Sequence, residues 1–197
     1  MMKGFFVCIE GLDKSGKTTQ SILLVDALQK EGFKAHYTTE PSNGEVGRFI
    51  RRYVLDRRYR VPASVEALLF AADRADHTER EIKPLLGDGK VVVCDRYIYS
   101  SLAYQGATGL SIEWIKEINR FALKPDLAIY LNIPVEVAMQ RIGKKRSVME
   151  KLETQEKVEE VYLRFVRFGE MVSVDASRSV QEVAEEIKSL VLERLRC

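Results

Sequence analysis

One segment near the amino terminus limits the folds open to this chain more than any other feature. Residues 11–18 read Gly-Leu-Asp-Lys-Ser-Gly-Lys-Thr, which fits the pattern of Gly, four residues, Gly, Lys and then Ser or Thr. The apolar run Phe5–Ile9 precedes the segment, and a helical pattern over residues 16–30 follows it. A strand, a tight loop and a helix start, in this order, are the context in which the pattern indicates a phosphate-binding loop.

The residues of this segment also predict how it would hold a nucleotide. Its glycines let the backbone turn so that successive N–H groups converge on one hollow, and the following helix adds unpaired donors at its N-terminus. Lys17 is then expected to reach the β- and γ-phosphates, and the hydroxyl of Thr18 to bind Mg²⁺. The chain is therefore predicted to bind a nucleoside triphosphate.

Five short apolar runs, with helical patterns between them, predict the architecture. The runs are Phe5–Ile9, Ala35–Thr38, Val91–Cys94, Leu127–Leu131 and Met171–Val174. Runs this apolar suit strands buried on both faces, as in a parallel sheet covered by helices. Right-handed crossovers then give an α/β fold of three layers, α/β/α, with a five-stranded parallel sheet. The chain of 197 residues suits a single domain over 1–197.

Composition indicates no macromolecular partner. The 31 basic and 29 acidic residues leave a formal charge of only +2, which gives no sign of a nucleic-acid or membrane partner. No apolar stretch is long enough to cross a membrane, and the first run ends at Glu10, which does not fit a signal peptide, so we expect a cytoplasmic protein. The three cysteines lack metal-ligand spacing and are expected to be free thiols.

Acidic and basic side chains are predicted to meet at the carboxyl ends of the strands, where ligands bind in doubly wound sheets. Glu40 and Pro41 follow the second run, and Asp95 and Arg96 follow the third. A hydrophobic strand ending in Asp is typical of the second NTPase motif, so Asp95 is expected to act on Mg²⁺ directly or through water. Such a crevice could position and neutralise phosphates, as phosphoryl transfer requires.

Among proteins that use a triphosphate, the sequence favours a small-molecule kinase. A GTPase would carry an Asn-Lys-x-Asp stretch that reads guanine, which does not occur here, and a hydrolytic motor would normally be larger. A kinase needs a second pocket and a cover that excludes water. Phe70 and Arg74 share one face of the helix predicted over 65–75, and they suit a nucleobase. The basic segment 141–146, within a lid predicted over 141–153, suits the cover.

Several motifs together resemble the thymidylate kinase family. They are Gly11–Thr18, Glu40-Pro41, Leu69–Arg74, Asp95–Tyr97 and Ser100–Gly106, in the order and spacing of that family over most of the chain. The resemblance implies a P-loop NTPase fold of the nucleoside monophosphate kinase type. It implies Mg²⁺-dependent transfer of the γ-phosphoryl group of ATP to dTMP, giving dTDP and ADP on the way to dTTP. It also implies a homodimer.

The resemblance assigns roles to individual residues. Phe70 would stack on thymine, Arg74 would bond its carbonyl edge, and Tyr104 would pack on the deoxyribose. The implied ATP contacts are Gly11, Leu12, Asp13, Lys14, Ser15, Gly16, Lys17, Thr18, Thr19 and Arg141. The implied dTMP contacts are Asp13, Glu40, Pro41, Arg48, Phe70, Arg74, Arg96, Ser101, Tyr104 and Gln105. The implied catalytic residues are Lys17, Asp13, Lys14, Arg96, Arg141 and Arg146, and the metal ligands are Thr18 and Asp95.

Simpler interpretations remain open for some of these residues. Phe70 and Tyr104 could be core residues, and Asp13 could serve only the turn. Arg74 could merely pair with a nearby carboxylate, the candidates being Asp73 and Glu66.

The chain departs from the family's pattern at three positions. The family often has Arg before Glu-Pro and Gly after it, where this chain has Thr39 and Ser42. Some members carry a catalytic arginine at the position of Lys14, and others carry one in the lid. Lysine lacks the bidentate fork of arginine, so Lys14 is expected to act as a point charge while Arg146 or Arg141 stabilises the transferred group.

Two other functions stay open at this point. One is a nucleoside or deoxynucleoside monophosphate kinase with broader or different base choice, for which the departures at Thr39 and Ser42 leave room. The other is a regulatory module that holds ATP without efficient transfer, although Lys17, Thr18 and Asp95 are all present.

Overall fold

Five parallel strands form the sheet that the apolar runs predict. In the computed structural model, which describes residues 4–55, 61–142 and 148–196, the strands are β1 (Phe5–Gly11), β2 (Ala35–Thr39), β3 (Val91–Asp95), β4 (Leu127–Asn132) and β5 (Val172–Asp175). Their order across the sheet is β2-β3-β1-β4-β5, and every neighbouring pair is parallel. The predicted three-layer α/β/α P-loop fold is confirmed.

Helices connect these strands and cover the sheet. They are α1 (Lys17–Lys30), α2 (Glu45–Phe49), α3 (Ala63–His77), α4 (Lys83–Gly87), α5 (Ile98–Ala107), α6 (Ile112–Ile118), α7 (Val135–Ile142), α8 (Val148–Arg167) and α9 (Val180–Leu195). Two π-helical segments, Ile50–Val54 and Thr78–Ile82, continue α2 and α3 directly. A capping box between Ser179 and Glu182 fixes the start of α9.

The core lies on the central strands, which explains why their sequences are apolar without alternation. Val7 of β1 stands opposite Val93 of β3 and Leu127 of β4. Val7 and Val93 are fully buried and Leu127 nearly so. Strands covered on both faces favour apolar side chains at successive positions, and the polar residues of the central strands lie at or near their carboxyl ends, as Glu10, Asp95 and Asn132 do.

One helix is shorter than its sequence pattern suggests. The periodicity predicts a helix over 112–123, but α6 ends at Ile118. Asn119 stops it, with a φ of −106° and a buried side chain whose Nδ2 donates to the Ile115 carbonyl oxygen at 2.8 Å. Asparagine side chains compete in this way with the backbone hydrogen bonds of a helix.

Candidate active site

The loop between β1 and α1 takes its shape from residues with left-handed backbone angles. Gly11 has a φ of 152°, Lys14 of 65° and Gly16 of 99°. At Gly11 space also demands glycine, because a Cβ there would lie 2.7 Å from Ser15 Oγ and 3.0 Å from the Leu131 carbonyl oxygen. Gly16 is the N-cap of α1, so the loop ends on backbone N–H groups that can bind an anion.

Lys17 is folded back into this loop and buried, with 6% of its surface exposed. Its Nζ donates to the carbonyl oxygens of Leu12 at 2.7 Å and Gly11 at 3.2 Å. Burial, followed by the nearby charge of Arg96, lowers the pKa of Lys17 to about 7, although Asp95 opposes the shift. Because its ammonium form is poorly stabilised by the protein alone, it gains strongly from a phosphate brought into the loop.

Thr18 and Asp95, the two predicted Mg²⁺ ligands, lie in contact at the carboxyl edge of the sheet. The Thr18 hydroxyl donates to Asp95 Oδ2 at 2.5 Å. Asp95 Oδ1 is buried and has no hydrogen-bond partner among the described residues. These oxygens fit Mg²⁺, which takes few ligands from a protein and the rest from phosphates and water. Within the described part of the chain, no group of three or more His, Cys, Asp or Glu could hold a metal ion.

A cavity of about 390 Å³ lies beside the loop, a volume that suits a small ligand. Its walls are formed by Asp13, Glu40, Pro41, Leu55, Glu66, Phe70, Arg74, Arg96, Tyr97, Ser100, Ser101, Tyr104 and Gln105. Every residue predicted to contact dTMP is in this set except Arg48. Phe70 and Tyr104 are only partly buried, so both present ring surface to a ligand.

Arg96 connects the loop with the cavity. Its Nη2 donates to Asp13 Oδ1 at 2.6 Å, and its Nη1 donates to Ser100 Oγ at 3.2 Å. The guanidinium carbon lies 5.2 Å from the centre of the Tyr104 ring, within cation–π distance. The backbone of Arg96 is left-handed, with a φ of 68°, a conformation that persists in a non-glycine residue only where its surroundings hold it.

Arg74 is the centre of a buried hydrogen-bond network. Its acceptors are Glu40 Oε2 at 2.6 Å, Asn119 Oδ1 at 2.5 Å, and Ser101 Oγ and the Tyr97 carbonyl oxygen at 3.1 Å each. His77 Nδ1 lies 3.2 Å from the second oxygen of Glu40. Burial disfavours the charged guanidinium, yet Glu40 keeps the pKa of Arg74 above its ordinary value. Arg74 thus pairs with Glu40, and the simpler interpretation, a pair with Asp73 or Glu66, is wrong.

Three polar atoms of the residues that line the cavity remain without partners, namely Arg74 Nε, Gln105 Oε1 and the Tyr104 hydroxyl oxygen. All three are buried and make no hydrogen bond within the described parts of the chain. Unpaired buried groups of this kind are rare in folded proteins and are expected where a ligand completes them. Arg74 Nε is a donor, Gln105 Oε1 is an acceptor and the Tyr104 hydroxyl can be either, so the cavity suits a ligand that offers both an acceptor and a donor.

Comparison with known proteins decides the family. A family model for thymidylate kinase matches residues 9–187. A probable thymidylate kinase of Pyrococcus abyssi is 48% identical over 202 residues, which cover 98% of each chain. One of Staphylothermus marinus is 43% identical over 195 residues, covering 98% of this chain and 96% of that protein. The chain belongs to the thymidylate kinase family. A third relative, from Pyrobaculum aerophilum, carries the same name at 42% identity over 188 residues.

The departures from the thymidylate kinase pattern have structural partners of their own. Ser42 donates from its backbone N to Asp73 Oδ2 at 2.7 Å and from its hydroxyl to Asp73 Oδ1 at 2.6 Å. Thr39 Oγ1 donates to the Asp95 carbonyl oxygen at 3.0 Å. The guanidinium of Arg51 donates to the carbonyl oxygens of Pro41 and Ser42. The loop that carries Glu40 is therefore held without the usual Arg and Gly.

Arg48 lies apart from the cavity. It is exposed, pairs with Glu45 one turn earlier, and donates to the Asn43 carbonyl oxygen at 2.7 Å. A hold on the acceptor phosphate by Arg48 therefore stays a prediction.

Of the predicted lid over 141–153, the structure describes both ends, since residues 141–142 close α7 and residues 148–153 begin α8. Arg141, in the last turn of α7, donates from Nη1 to the Lys14 carbonyl oxygen at 3.2 Å, so the predicted lid begins in contact with the phosphate loop. Arg146 lies outside the described residues. Leu12 and Ser15 of the loop are buried, while the side chains of Lys14, Thr18 and Thr19 are exposed.

Sequence reasoning missed three polar residues of the site. Glu10 lies inside β1 and is buried, accepting from the backbone N of Tyr97 at 2.8 Å and from Ser100 Oγ at 2.6 Å. Burial raises the pKa of Glu10. Ser100 and Glu66 both line the cavity. A carboxylate inside a buried strand, and a glutamate four residues before Phe70 on the same helical face, were the available signals.

The lowered pKa of Lys17 predicts that ATP binding takes up a proton above pH 7. Bound phosphate favours the ammonium form and raises the pKa, so a deprotonated Lys17 must gain a proton as ATP enters. Affinity should therefore fall as the pH rises from 7 to 9. Calorimetry at pH 8 in buffers of different ionisation enthalpy should give an uptake of about one proton, since the free pKa is about 7.

Lys17→Met is the matched control for this measurement, because it keeps an unbranched side chain without a titratable group. The variant should show almost no proton uptake at pH 8. Equal uptake by the variant and the wild type would assign the proton to another group.

Proposed function

We propose that the chain transfers the γ-phosphoryl group of ATP to dTMP, giving dTDP and ADP, with Mg²⁺ at Thr18 and Asp95. One observation carries the proposal: Arg96 binds Asp13 of the phosphate loop while lining the adjacent cavity. A donor phosphate in the loop and an acceptor phosphate at the cavity mouth would then meet at one guanidinium. The use of ATP and the reaction are those of the family to which the chain belongs.

On the donor side, we assign binding to the loop and charge neutralisation to Lys17. Backbone N–H groups of residues 11–18 and the start of α1 would hold the phosphates, with Leu12, Ser15 and Thr19 fixing the loop. Bound Mg²⁺ would neutralise phosphate oxygens. Asp95 Oδ1, buried without a partner among the described residues, supports its place there.

On the acceptor side, the cavity walls suit a thymine nucleotide. Phe70 supplies a ring face for the base and Tyr104 one for the sugar. Arg74 Nε can donate to a base carbonyl, and Gln105 Oε1 can accept from the imide N–H. Glu40, Pro41 and Ser101 complete the base end of the cavity, and Arg96 the phosphate end.

We assign stabilisation of the transferred phosphoryl group to the lid, which would span 141–153 within a single domain over 1–197. Lys14 acts beside it as a point charge. Arg146→Ala should then lower kcat by about 10²-fold or more and change dTMP affinity far less, because the interaction forms in the transition state. Steady-state kinetics with equilibrium binding of dTMP measures both. An unchanged kcat in a folded variant would rule the assignment out, and Arg141→Ala tests the alternative lid arginine.

The function itself is tested by ADP release with dTMP, dUMP, dCMP, dGMP and AMP as acceptors in parallel. Release with dTMP alone supports the proposal. Release with several acceptors indicates a broader nucleoside monophosphate kinase. Release with none indicates an ATP-binding module without transfer. Family membership does not favour either of these alternatives.

We further propose a homodimer formed through α2, its π-helical continuation and α3. Large apolar side chains of this region are exposed, namely Phe49, Tyr53, Leu55, Val65 and Leu68, and the rings of Phe49 and Tyr53 stack with centroids 5.3 Å apart. Apolar patches of this kind mark protein interfaces. Sedimentation velocity should give the mass of a dimer for the wild type and of a monomer for Leu68→Glu. A monomeric wild type would refute the proposal.

We also propose that the protein acts in the cytoplasm. Cys8 and Cys94 are buried free thiols, as expected in a reducing compartment. No helix in the described ranges has the length and apolar content needed to cross a membrane. Cell fractionation tests the location.

A further inference from the structure

The side-chain amide of Gln105 presents its buried oxygen to the cavity, and a contact with Glu66 holds it in this orientation. Gln105 lies on α5 and is 3% exposed. Its Nε2 donates to Glu66 Oε1 on α3 at 3.2 Å. We propose that Glu66 is a positioning residue that fixes the amide of Gln105 and thereby selects bases carrying an N3–H group. This deepens the proposed function and rests on it.

The chemistry of the pair fixes the orientation of the amide. A carboxylate oxygen accepts hydrogen bonds and has no hydrogen to donate, so the NH₂ end of Gln105 must face Glu66. The carbonyl oxygen of the Gln105 amide then points away from Glu66 and is free to accept from a ligand. Gln105 Oε1 is indeed buried without a partner among the described residues, and both side chains line the cavity.

A fixed acceptor distinguishes bases by their imide position. Thymine and uracil carry N3–H, a donor that would complete Gln105 Oε1. Cytosine carries an unprotonated N3, an acceptor, which would oppose the oxygen lone pairs. A site that leaves a polar group unpaired rejects the wrong ligand more strongly than one that merely lacks a contact.

The pairing of Arg74 leaves Glu66 available for this role. Glu66 is near enough in sequence to be a partner of Arg74, but that guanidinium is bound to Glu40 at 2.6 Å. The Glu66 carboxylate instead contacts Gln105, which lies on another helix and 39 positions later in the sequence. The contact thus couples α3, which carries Phe70 and Arg74, to α5, which carries Ser101 and Tyr104.

Glu66→Gln tests the proposal with little change of shape. An amide at position 66 can donate or accept, so Gln105 becomes free to turn its NH₂ group toward the base. The ratio of kcat/KM for dTMP to that for dCMP should fall by about tenfold or more, the discrimination of one well-placed hydrogen bond. Glu79→Gln, an exposed glutamate on the continuation of α3, should leave the ratio unchanged. Thermal unfolding of each variant verifies folding.

A second background separates positioning from a direct or merely structural effect. In Gln105→Met, which keeps the length but removes the amide, adding Glu66→Gln should leave the ratio where Gln105→Met alone puts it. A full additional loss in that background would mean that Glu66 acts on the base itself, and would overturn the proposal. So would an unchanged ratio in the single variant while the wild type phosphorylates dTMP. A wild type inactive on dTMP would overturn the proposed function as well, so the two failures are distinguishable.

Discussion

Arg96→Lys is expected to lower kcat/KM for dTMP by about 10²- to 10³-fold, the range found when one preorganised donor to a developing charge is lost. Arg96 donates from its two Nη atoms, to Asp13 at 2.6 Å and to Ser100 at 3.2 Å, while its plane lies over Tyr104. Lysine keeps the charge but can make neither the fork nor the stacking contact. It also keeps the Cβ, so the left-handed backbone at φ 68° is not changed by the substitution.

We expect Arg96→Lys to impair the use of dTMP and to leave the binding of ATP nearly unchanged. ATP affinity, measured by calorimetry, should change by no more than a few fold, because Lys17 and the loop N–H groups hold the donor phosphates. Arg120→Lys, an exposed arginine paired with Glu117, is the surface control and should retain full activity. A folded Arg96→Lys enzyme with kcat/KM for dTMP within about threefold of the wild type would contradict the role given to Arg96.

The fold could be predicted from the sequence because two local signals agreed. The Gly11–Thr18 pattern requires a strand before it and a helix after it, and β1 and α1 supply both. The five apolar runs match the five strands to within about a residue or two at each end. The differences fall on polar residues such as Thr39, Asp95 and Asn132. A search for apolar runs leaves these positions out, although their backbones continue the strand pairing of the sheet.

The composition of the cavity could be predicted, but its internal pairing could not. Helical spacing places Phe70 and Arg74 on one face, and both line the cavity. Nothing local indicates that Glu40, 34 positions away, ends beside Arg74, or that Glu66 reaches Gln105. Such pairs depend on how strand ends and helices pack. They are read from the fold and not from periodicity.

Arg48 is the residue predicted to contact dTMP that the structure does not bring to the cavity. Arg48 and Arg51 lie within one turn of each other in a stretch rich in arginine. The structure nevertheless gives Arg51 the carbonyl oxygens of Pro41 and Ser42 while leaving Arg48 exposed beside Glu45. Long flexible side chains on one helical turn have similar sequence signals, so only the position of the loop after β2 decides between them.

The largest expected effect on stability belongs to Arg74→Met, which should lower the free energy of unfolding by about 3–5 kcal/mol. Methionine fills much of the same space but leaves the Glu40 carboxylate and Asn119 Oδ1 buried without their partner. Removing one member of a buried charge pair costs far more than the pair itself contributes, because the other charge remains desolvated. Chemical denaturation monitored by circular dichroism measures the loss.

The matched control is Arg80→Met, on the π-helical continuation of α3. Arg80 pairs with Asp76 at 2.5 Å, a distance as short as those around Arg74, but its side chain is largely exposed. Loss of this exposed pair should cost no more than about 1 kcal/mol. Equal losses in the two variants would show that burial of Glu40 is not the cause.

Adding Glu40→Gln to Arg74→Met separates the charge from the packing. The amide keeps an acceptor for His77 and removes the unpaired charge, so the double variant should be more stable than Arg74→Met alone. It should still bind dTMP poorly, because the donor at Arg74 Nε is gone. A double variant no more stable than Arg74→Met would place the cost in the vacated volume. Recovery of stability without recovery of dTMP affinity would mean that Arg74 supports the fold through Glu40, while dTMP binding needs one or both of the native side chains.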